Sequence, residues 1–317
     1  MKLAVFMDEI DVLKAYKDTS VAILQSAHAI GWECYFFTQH DLFCKNGEAF
    51  ANIRKIEILD VKEKNWSRVE ELGDLALTYF DIILVRKDPP FNMEYIYAMQ
   101  ALQLAEKQGV VIANKPASIC VFGEKTYTLH FPEICPQTLL SKDCHRLKEF
   151  YEAHQDVIFK PLDVMGGRGI FHVQDKENLA VVLDLLTNSG QTTIMAQKYI
   201  KEIKSKGDKR IILINGEPAA YCLARIPAEG EFRGNLNAGG FGKVEKLSAR
   251  DIEICKFIAP SLRAHGFYFV GIDVIGDYLT EINFTSPTCV REIEDQVSID
   301  ITKAYLDFLT SRVKFCQ

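Results

Sequence analysis

The chain has 317 residues, of which 48% are hydrophobic and 25% charged, and its formal charge at pH 7 is −6. That length accommodates about two domains of ordinary size with a substantial core. The acidic balance gives no general electrostatic reason to bind nucleic acid or an anionic membrane, although local basic patches can still hold small anions.

The opening MKLAVFMDEIDVLKAY reaches Asp8, Glu9 and Asp11 after a short apolar run, too short and too acidic for a secretory signal peptide. No apolar run approaches membrane-spanning length. Nine cysteines at irregular spacing, without a close CxxC pair, point to reduced thiols in the cytoplasm. No histidine or helix start singles out a catalytic one.

Leu3–Met7 predicts a buried strand and Ser20–Ile30 a helix stopped by Gly31, after which Glu33–Phe37 resumes a strand. This order opens an α/β layer. Asp41–Glu48 and Lys55–Asp74 are less periodic and are expected to form peripheral strands and a helix. Phe80–Val85 is a further buried strand, ending in RKDPPF from Arg86 to Phe91. Open α/β sheets place ligands at such carboxyl ends, so Arg86 is a candidate carboxylate clamp; a surface arginine before a rigid turn is the alternative. A helix over Glu94–Gln108 and a strand over Val110–Ala113, ending at Asn114–Lys115–Pro116, complete a first domain of residues 1–122.

Residues 123–201 form the second section. It opens on GEKTYT, Gly123 to Thr128, which lacks the Walker A spacing. After a helix at Leu147–His154, the strand Val157–Phe159 ends in Lys160, and Met165–Ile170 is a glycine-rich turn before the strand Ile170–Val173. No helix follows and GxGxxG is absent, which excludes the Rossmann arrangement. Glycines at such a tip let backbone N–H groups approach phosphate oxygens; a plain flexible hairpin is the alternative. A helix near Leu179–Thr187 and a strand over Thr193–Tyr199 lead through Gln197–Ile200 into the charged Lys201–Lys209.

Residues 202–317 alternate short strands, Lys209–Ile214 and Glu217–Leu223, before a glycine-rich loop over Ile226–Gly242. Loops of that length are functional or disordered. Arg210, Arg225 and Arg233 near it suit a substrate with several negative charges. A helix over Ser248–Ala264 precedes two strands, Phe267–Ile275 and Leu279–Phe284, that flank Gly276–Asp277; a last helix spans Ile299–Val313. A two-residue turn would put Asp273 and Glu281 on opposite faces, because side chains alternate along a strand. A three-residue loop, Gly276–Tyr278, sets Asp273 opposite Glu281 and Ile272 opposite Ile282, and is expected because it keeps the apolar side chains together. Asn283 then shares the acidic face, giving an all-oxygen cluster suited to Mg²⁺; a solvated sheet face with scattered acids is the alternative.

A lysine-ended strand, a glycine loop, arginines and paired acids together suggest phosphoryl chemistry by positioning and electrostatics. Essentially the whole chain resembles the ATP-grasp superfamily, and within it the bacterial glutathione synthetases. The resemblance is carried by RKDPPF, Asn114–Pro116, Glu124–Lys125, FKPLD at Phe159–Asp163, GGRGIF at Gly166–Phe171, GDKR at Gly207–Arg210, YCLARIP at Tyr221–Pro227, RGNLNAGG at Arg233–Gly240 and GIDVIGDYLTEINFTSPTC. It implies a mixed α/β chain with an ATP-grasp fold behind an N-terminal α/β domain of the pre-ATP-grasp kind. The implied activity is an ADP-forming ligase that joins γ-glutamylcysteine to glycine through an acyl phosphate. Other carboxylate–amine ligases, of the D-alanine–D-alanine or ribosomal-protein glutamate type, and an ATP-binding regulator without turnover are the competing readings.

By the resemblance, Lys125 and Lys160 hold ATP phosphates under the loop of Gly166, Gly167 and Gly169. Gln197, Lys198, Tyr199 and Ile200 form the hinge beside adenine, and Asp208 lies close to the nucleotide. Asp273, Glu281 and Asn283 coordinate Mg²⁺, with Mn²⁺ as a substitute, while Arg210 and Arg225 stabilise the transferring phosphoryl group. Arg233, Asn235 and Ser286 line the peptide side. The resemblance also implies a cytoplasmic homo-oligomer, a homotetramer. One departure is Asp163–Val164–Met165, where the family commonly has Asp-Gly-Met; Val164 must therefore take an ordinary backbone conformation.

Overall fold

The computed structural model describes residues 1–231, 233–234 and 239–316. The apolar runs of the first section become the centre of a mixed sheet. β1 (Lys2–Phe6) leads through α1 (Thr19–Ala29) to β2 (Glu33–Phe37), and α1 is capped by Asp18, whose side chain accepts from the Val21 amide. Next come β3 (Leu42–Lys45), β4 (Glu48–Ile58), β5 (Ser67–Ala76) and β6 (Ile82–Val85). They are followed by α2 (Met93–Lys107), β7 (Val111–Ala113) and a short α3 (Pro116–Val121). The order is β3-β4-β2-β1-β6-β7 with β5 on β4, and the β2–β1–β6–β7 pairings are parallel. Strands covered on both faces read as unbroken apolar runs, as in the fully buried Ile82–Val85.

The helix expected within Lys55–Asp74 is not formed; β4 and β5 make a long antiparallel hairpin instead. Ala49, Ala51 and Ile53 pack into one core, whereas Ile56 and Ile58 pack into the core on the opposite face of the sheet. The apolar side of β4 thus changes midway, next to a bulge between Ile53 and Arg54. A period-two count fails across such a change.

The second sheet comprises β8 (Thr138–Ser141), β9 (Val157–Pro161), β10 (Phe171–Val173) and β11 (Ile194–Lys198), with α4 (Cys144–His154) and α5 (Leu179–Thr187). Its antiparallel order is β10-β9-β11-β8. Its core, which includes Leu147, Tyr151, Phe159, Leu183 and Ile194, is separate from the others. After the single-turn α6 (Ile203–Lys206), the third sheet contains β12 (Asp208–Ile214), β13 (Glu217–Ile226), β14 (Phe241–Lys246), β15 (Phe269–Ile275) and β16 (Tyr278–Asn283). They lie in the antiparallel order β14-β13-β12-β15-β16. β14 was hidden in the sequence because it begins inside the expected loop Ile226–Gly242. α7 (Ala249–Ala264) starts from a Ser248–Asp251 capping box, and α8 (Val290–Glu294) and α9 (Ile301–Cys316) close the chain.

The first and third sheets share their cores. Ile112 of β7 belongs with Ile258 of α7 and Ile272 of β15, and Val5 of β1 belongs with Ile212 of β12 and Tyr305 of α9. Asn114 ties the two sheets together at the end of β7. Its Oδ1 accepts from the amides of Tyr268 (2.7 Å) and Phe269 (2.8 Å), and its Nδ2 donates to the carbonyls of Phe269 (2.8 Å) and Phe284 (2.6 Å). Every hydrogen-bonding site of this amide that faces the third sheet is used, and the residue is buried. Buried polar groups stripped of their partners cost about 1–3 kcal/mol each. Asn114→Ala is therefore expected to destabilise the fold by about 3 kcal/mol or more, seen as a lower urea midpoint; an unchanged midpoint would mean that the two sheets are held without it.

Candidate active site

One face of the third sheet gathers a cluster of buried charged side chains, Asp208, Arg210, Arg225 and Asp273. Asp208 and Arg210 are two residues apart on β12 and so point to the same side. The pairing register extends the pattern, with Asp208 opposite Arg225, Arg210 opposite Asp273, and Asp273 opposite Glu281. The last pair is the expected one, but it arises differently from the expected three-residue loop. Ile275 pairs with Tyr278, so the turn has two residues, and Gly276 takes a φ of 58°, the requirement of a type II′ turn at its first position. The register then shifts between Asp273 and Val274, which makes Thr280 the extra residue of a bulge and returns Glu281 to the face of Asp273. The Thr280 hydroxyl donates to the Asp273 carbonyl at 3.0 Å.

Arg210 grips Asp273 with two bonds, Nε to Oδ1 at 2.6 Å and Nη2 to Oδ2 at 3.1 Å. Arg225 Nη2 lies 2.8 Å from Asp273 Oδ1 and 2.5 Å from Asp208 Oδ2. Asn283 Nδ2 donates to Asp273 Oδ2 at 3.3 Å. Burial raises the Asp273 pKa, but the two guanidinium groups outweigh it and hold the carboxyl below its ordinary range. At Asp208 burial wins over Arg225 and pushes the pKa up to about 7. Its Oδ1 is buried without a hydrogen-bond partner among the described residues. Glycine makes room for this network: a Cβ on Gly271 would stand 2.9 Å from Arg210 Cδ, and one on Gly234 would stand 2.6 Å from the Arg225 carbonyl.

The second sheet supplies the opposing wall. Val157 and Phe159 face the core beneath α4 and α5, which turns Ile158 and Lys160 outward. Lys160 Nζ donates to Gln197 Oε1 at 3.1 Å and to the Thr280 carbonyl at 3.4 Å, so the bulge residue of one sheet meets the lysine of the other. Burial lowers the Lys160 pKa, with Glu281 opposing it. Lys125 Nζ lies 3.2 Å from Glu281 Oε1 and donates to the carbonyl of Val164 at 2.7 Å. Gly166, Gly167 and Gly169 have φ of 69°, 77° and 67°, whereas Val164 is not among the positive-φ residues, as its side chain requires.

These walls enclose two adjoining chambers. Lys125, Lys160, Gln197 and Asp208 line the first, together with Lys198, Tyr199 and Ile200. Arg210, Arg225, Asn283 and Ser286 line the second. Gly166, Met165, Asp273 and Glu281 line both and form the boundary between them. Gly167 and Arg233 belong to the first, and Arg233 also pairs with Glu231 at 2.6 Å and donates to the Gly167 carbonyl at 3.2 Å. Gly169 lines neither chamber, and a Cβ there would stand 3.1 Å from Pro161 Cγ. Asn235 lies outside the described residues.

Arg86 lines neither chamber, in contrast to its expected place. Its Nε donates to Ser20 Oγ at 3.0 Å and its Nη2 to the Pro287 carbonyl at 2.9 Å, so it supports the loop after β16 from behind. The side chain directly follows a strand covered on both faces, and burial lowers its pKa. Asp88, two residues on, lines the second chamber together with Ser286, and its amide donates to Asp8 Oδ2 at 3.0 Å. Glu124, which carries the resemblance together with Lys125, had no role assigned to it from the sequence. Its Oε1 accepts from the amides of Phe284 (2.8 Å) and Thr285 (2.9 Å) and from Thr285 Oγ1 (2.8 Å), which fixes the strand end beside Glu281. Its adjacency to Lys125 was the available signal.

A lysine-lined chamber between two antiparallel sheets, joined to a second chamber across paired carboxylates, is the architecture of an ATP-grasp ligase. A D-cycloserine synthetase structure superposes with a TM-score of 0.68 at 12% identity, covering 100% of each chain. An ATP-grasp ligase solved with a phosphomimetic variant of its minimal precursor, Mg and ADP gives 0.66 at 16% identity, covering 98% of each. Residues 1–120 match the N-terminal domain of prokaryotic glutathione synthetase, and residues 124–298 match its ATP-grasp domain. The glutathione synthetase of Vibrio parahaemolyticus is 45% identical over 315 residues, and that of Photorhabdus laumondii 46% over 316 residues, each comparison covering 99% of both chains. The chain belongs to the prokaryotic glutathione synthetase family.

The raised pKa of Asp208 has a consequence for stability. Between its ordinary 3.8 and about 7 the folded protein keeps a proton that the unfolded chain releases. Stability contributed through this group therefore falls as pH rises across that window. Asp208→Asn is expected to flatten that part of the stability–pH curve, measured by urea unfolding from about pH 4.5 to 7.5. An unchanged slope would assign the proton to another group.

Proposed function

We propose that the first chamber takes ATP and the second takes γ-glutamylcysteine, and that the enzyme joins this dipeptide to glycine, releasing ADP and phosphate. The observation that carries the reading is the meeting of the two chambers at Asp273 and Glu281. The γ-phosphoryl group passes to the cysteinyl carboxylate across that boundary, forming an acyl phosphate. The glycine amine then attacks the acyl carbon, loses a proton, and expels phosphate. No protein nucleophile is required. Lys125 and Lys160 hold the phosphates, the hinge 197–200 borders the base, and Arg210 and Arg225 are preorganised to stabilise charge on the transferring group. Ser286 is assigned to the peptide side, as is Asn235, which lies outside the described residues, whereas Arg233 lines the first chamber and so stands on the nucleotide side. Asp208 serves the nucleotide side.

Asp273, Glu281 and Asn283 offer two carboxylates and an amide oxygen. Among the described residues no group of three or more His, Cys, Asp or Glu side chains is placed to hold a metal ion by itself. A cation held by this set takes its remaining ligands from phosphate and water, the habit of Mg²⁺, and Mn²⁺ accepts the same donors. The structural neighbour solved with Mg and ADP supports that choice. When bound, the ion supplies neutralisation of phosphate charge during transfer.

The reading divides the chain at residues 1–122, 123–201 and 202–317, supported by sheets that lie within 2–113, 138–198 and 208–283. A cytoplasmic setting is supported by free thiols at Cys34, Cys135, Cys222, Cys255 and Cys289. No helix among the described residues is long and apolar enough to cross a membrane. Exposed Met93 and Tyr97 on α2, and Val121 at the end of α3, support a homo-oligomer, which we take to be a tetramer. Sedimentation at micromolar concentration is expected to give that species; a monomer would end the proposal.

The metal and the order of steps are tested together. With γ-glutamylcysteine but no glycine, wild-type enzyme is expected to scramble the β,γ-bridging oxygen of labelled ATP. Glu281→Gln is expected to lose most of that exchange at limiting Mg²⁺, with partial recovery at high Mg²⁺ and little change in adenosine binding. Normal exchange and turnover in the variant would remove Glu281 from the metal set. Absence of substrate-dependent ADP release in the wild type would remove the reaction itself.

A further inference from the structure

The glycine-rich loop carries a side chain that the reaction described above leaves unused. Arg168 sits between Gly167 and Gly169 as an exposed residue that lines the first chamber. It does not reach the second chamber, whereas Met165 and Gly166 of the same loop border both. Arg168 therefore stands on the nucleotide side of the boundary, back from the point of phosphoryl transfer.

Most of the other cations nearby are committed, the exposed Lys198 at the end of β11 being the exception among the described residues. Arg210 and Arg225 are held by Asp273 and Asp208, and Arg233 by Glu231 and the Gly167 carbonyl. Lys125 is shared between Glu281 and Val164, and Lys160 is buried against Gln197. The Arg168 guanidinium has no side-chain hydrogen bond or ion pair among the described residues. The Gly167 carbonyl that precedes it is already engaged by Arg233, which joins this loop to the loop after β13. Flanking glycines at φ 77° and 67° carry no side chains to fend off a polyphosphate, so the guanidinium is free to lie along it.

We propose that Arg168 is a substrate-contacting residue that binds the α- and β-phosphates of the nucleotide. A guanidinium presents its donors as a planar fork matched to phosphate oxygens, and such charge-assisted pairs are the stronger class of hydrogen bond. Because the contact is made on the nucleotide side of the boundary, it strengthens ATP and ADP alike. It belongs to substrate binding and product retention rather than to the acceptor or the acyl phosphate. The inference rests on the first chamber being the ATP site.

Calorimetric titration of wild type, Arg168→Ala and Arg168→Lys with ADP and Mg²⁺, and separately with adenosine, tests it. ADP is expected to bind about tenfold more weakly to Arg168→Ala, the order of one charge-assisted phosphate contact, with partial recovery in Arg168→Lys. Adenosine affinity is expected to stay unchanged, and the KM for ATP to rise while that for γ-glutamylcysteine does not. The dependence of ADP affinity on salt should also weaken in Arg168→Ala. Equal ADP affinity in wild type and Arg168→Ala would overturn the proposal. So would a matching loss of adenosine affinity, because the residue would then act only by shaping the loop. Failure of wild-type enzyme to bind ADP would instead overturn the nucleotide site, and the role of Arg168 with it.

Discussion

The site depends on keeping buried charge paired on one face of a single antiparallel sheet. Asp273 is enclosed by Arg210, Arg225 and Asn283, and Arg225 extends the chain to Asp208. Such a network is a costly way to stabilise a fold, since the desolvation of each ion offsets much of the attraction. Removing one partner is worse, at about 3–5 kcal/mol, because a buried charge is left alone. What the network secures is position. On the proposed reading, a phosphate arriving at this boundary would meet guanidinium groups already oriented, with no reorganisation needed when charge develops.

Two features of the backbone make that position possible. The Thr280 bulge aligns Glu281 with Asp273 and turns its own carbonyl to Lys160. Glu124 then anchors the end of the same strand at Phe284 and Thr285. Burial raises the Glu124 pKa and Glu281 raises it further, while the bonds from Thr285 oppose them. The carboxylate is thus spent on geometry, and Lys125 beside it is left to face Glu281 and the glycine loop. The Val164 substitution fits the same plan, because the position contributes a carbonyl to Lys125 and no unusual φ.

The distribution of cores connects this rigid face to motion. The first and third sheets share apolar clusters and are knotted by Asn114, so they form one body. The second sheet has a core of its own and touches the third through polar contacts, Lys160 to Thr280 and Arg233 to Gly167. Polar contacts across a chamber are exchanged for contacts to a ligand at small cost, whereas a shared apolar core is not. An acyl phosphate hydrolyses in water, so a wall able to open for substrates and close over the intermediate suits this chemistry.

The amino-acid sequence by itself determined the buried parallel strands, the main helices, the acid pair on the last hairpin and the family. Each rests on local information: unbroken apolar runs such as Ile82–Val85, the Ser248 cap, or motif residues adjacent in the chain. Only tertiary structure decided how Asp273 and Glu281 come to share a face, because a bulge depends on which register the neighbouring strands and Lys160 accept. The same holds for β4, whose apolar residues serve two cores in turn, and for Arg86, whose place behind the Pro287 loop depends on residues some two hundred positions away. Side-chain period is a property of one strand, but the face that is buried, and the ion that finds a partner there, are properties of the strands packed around it.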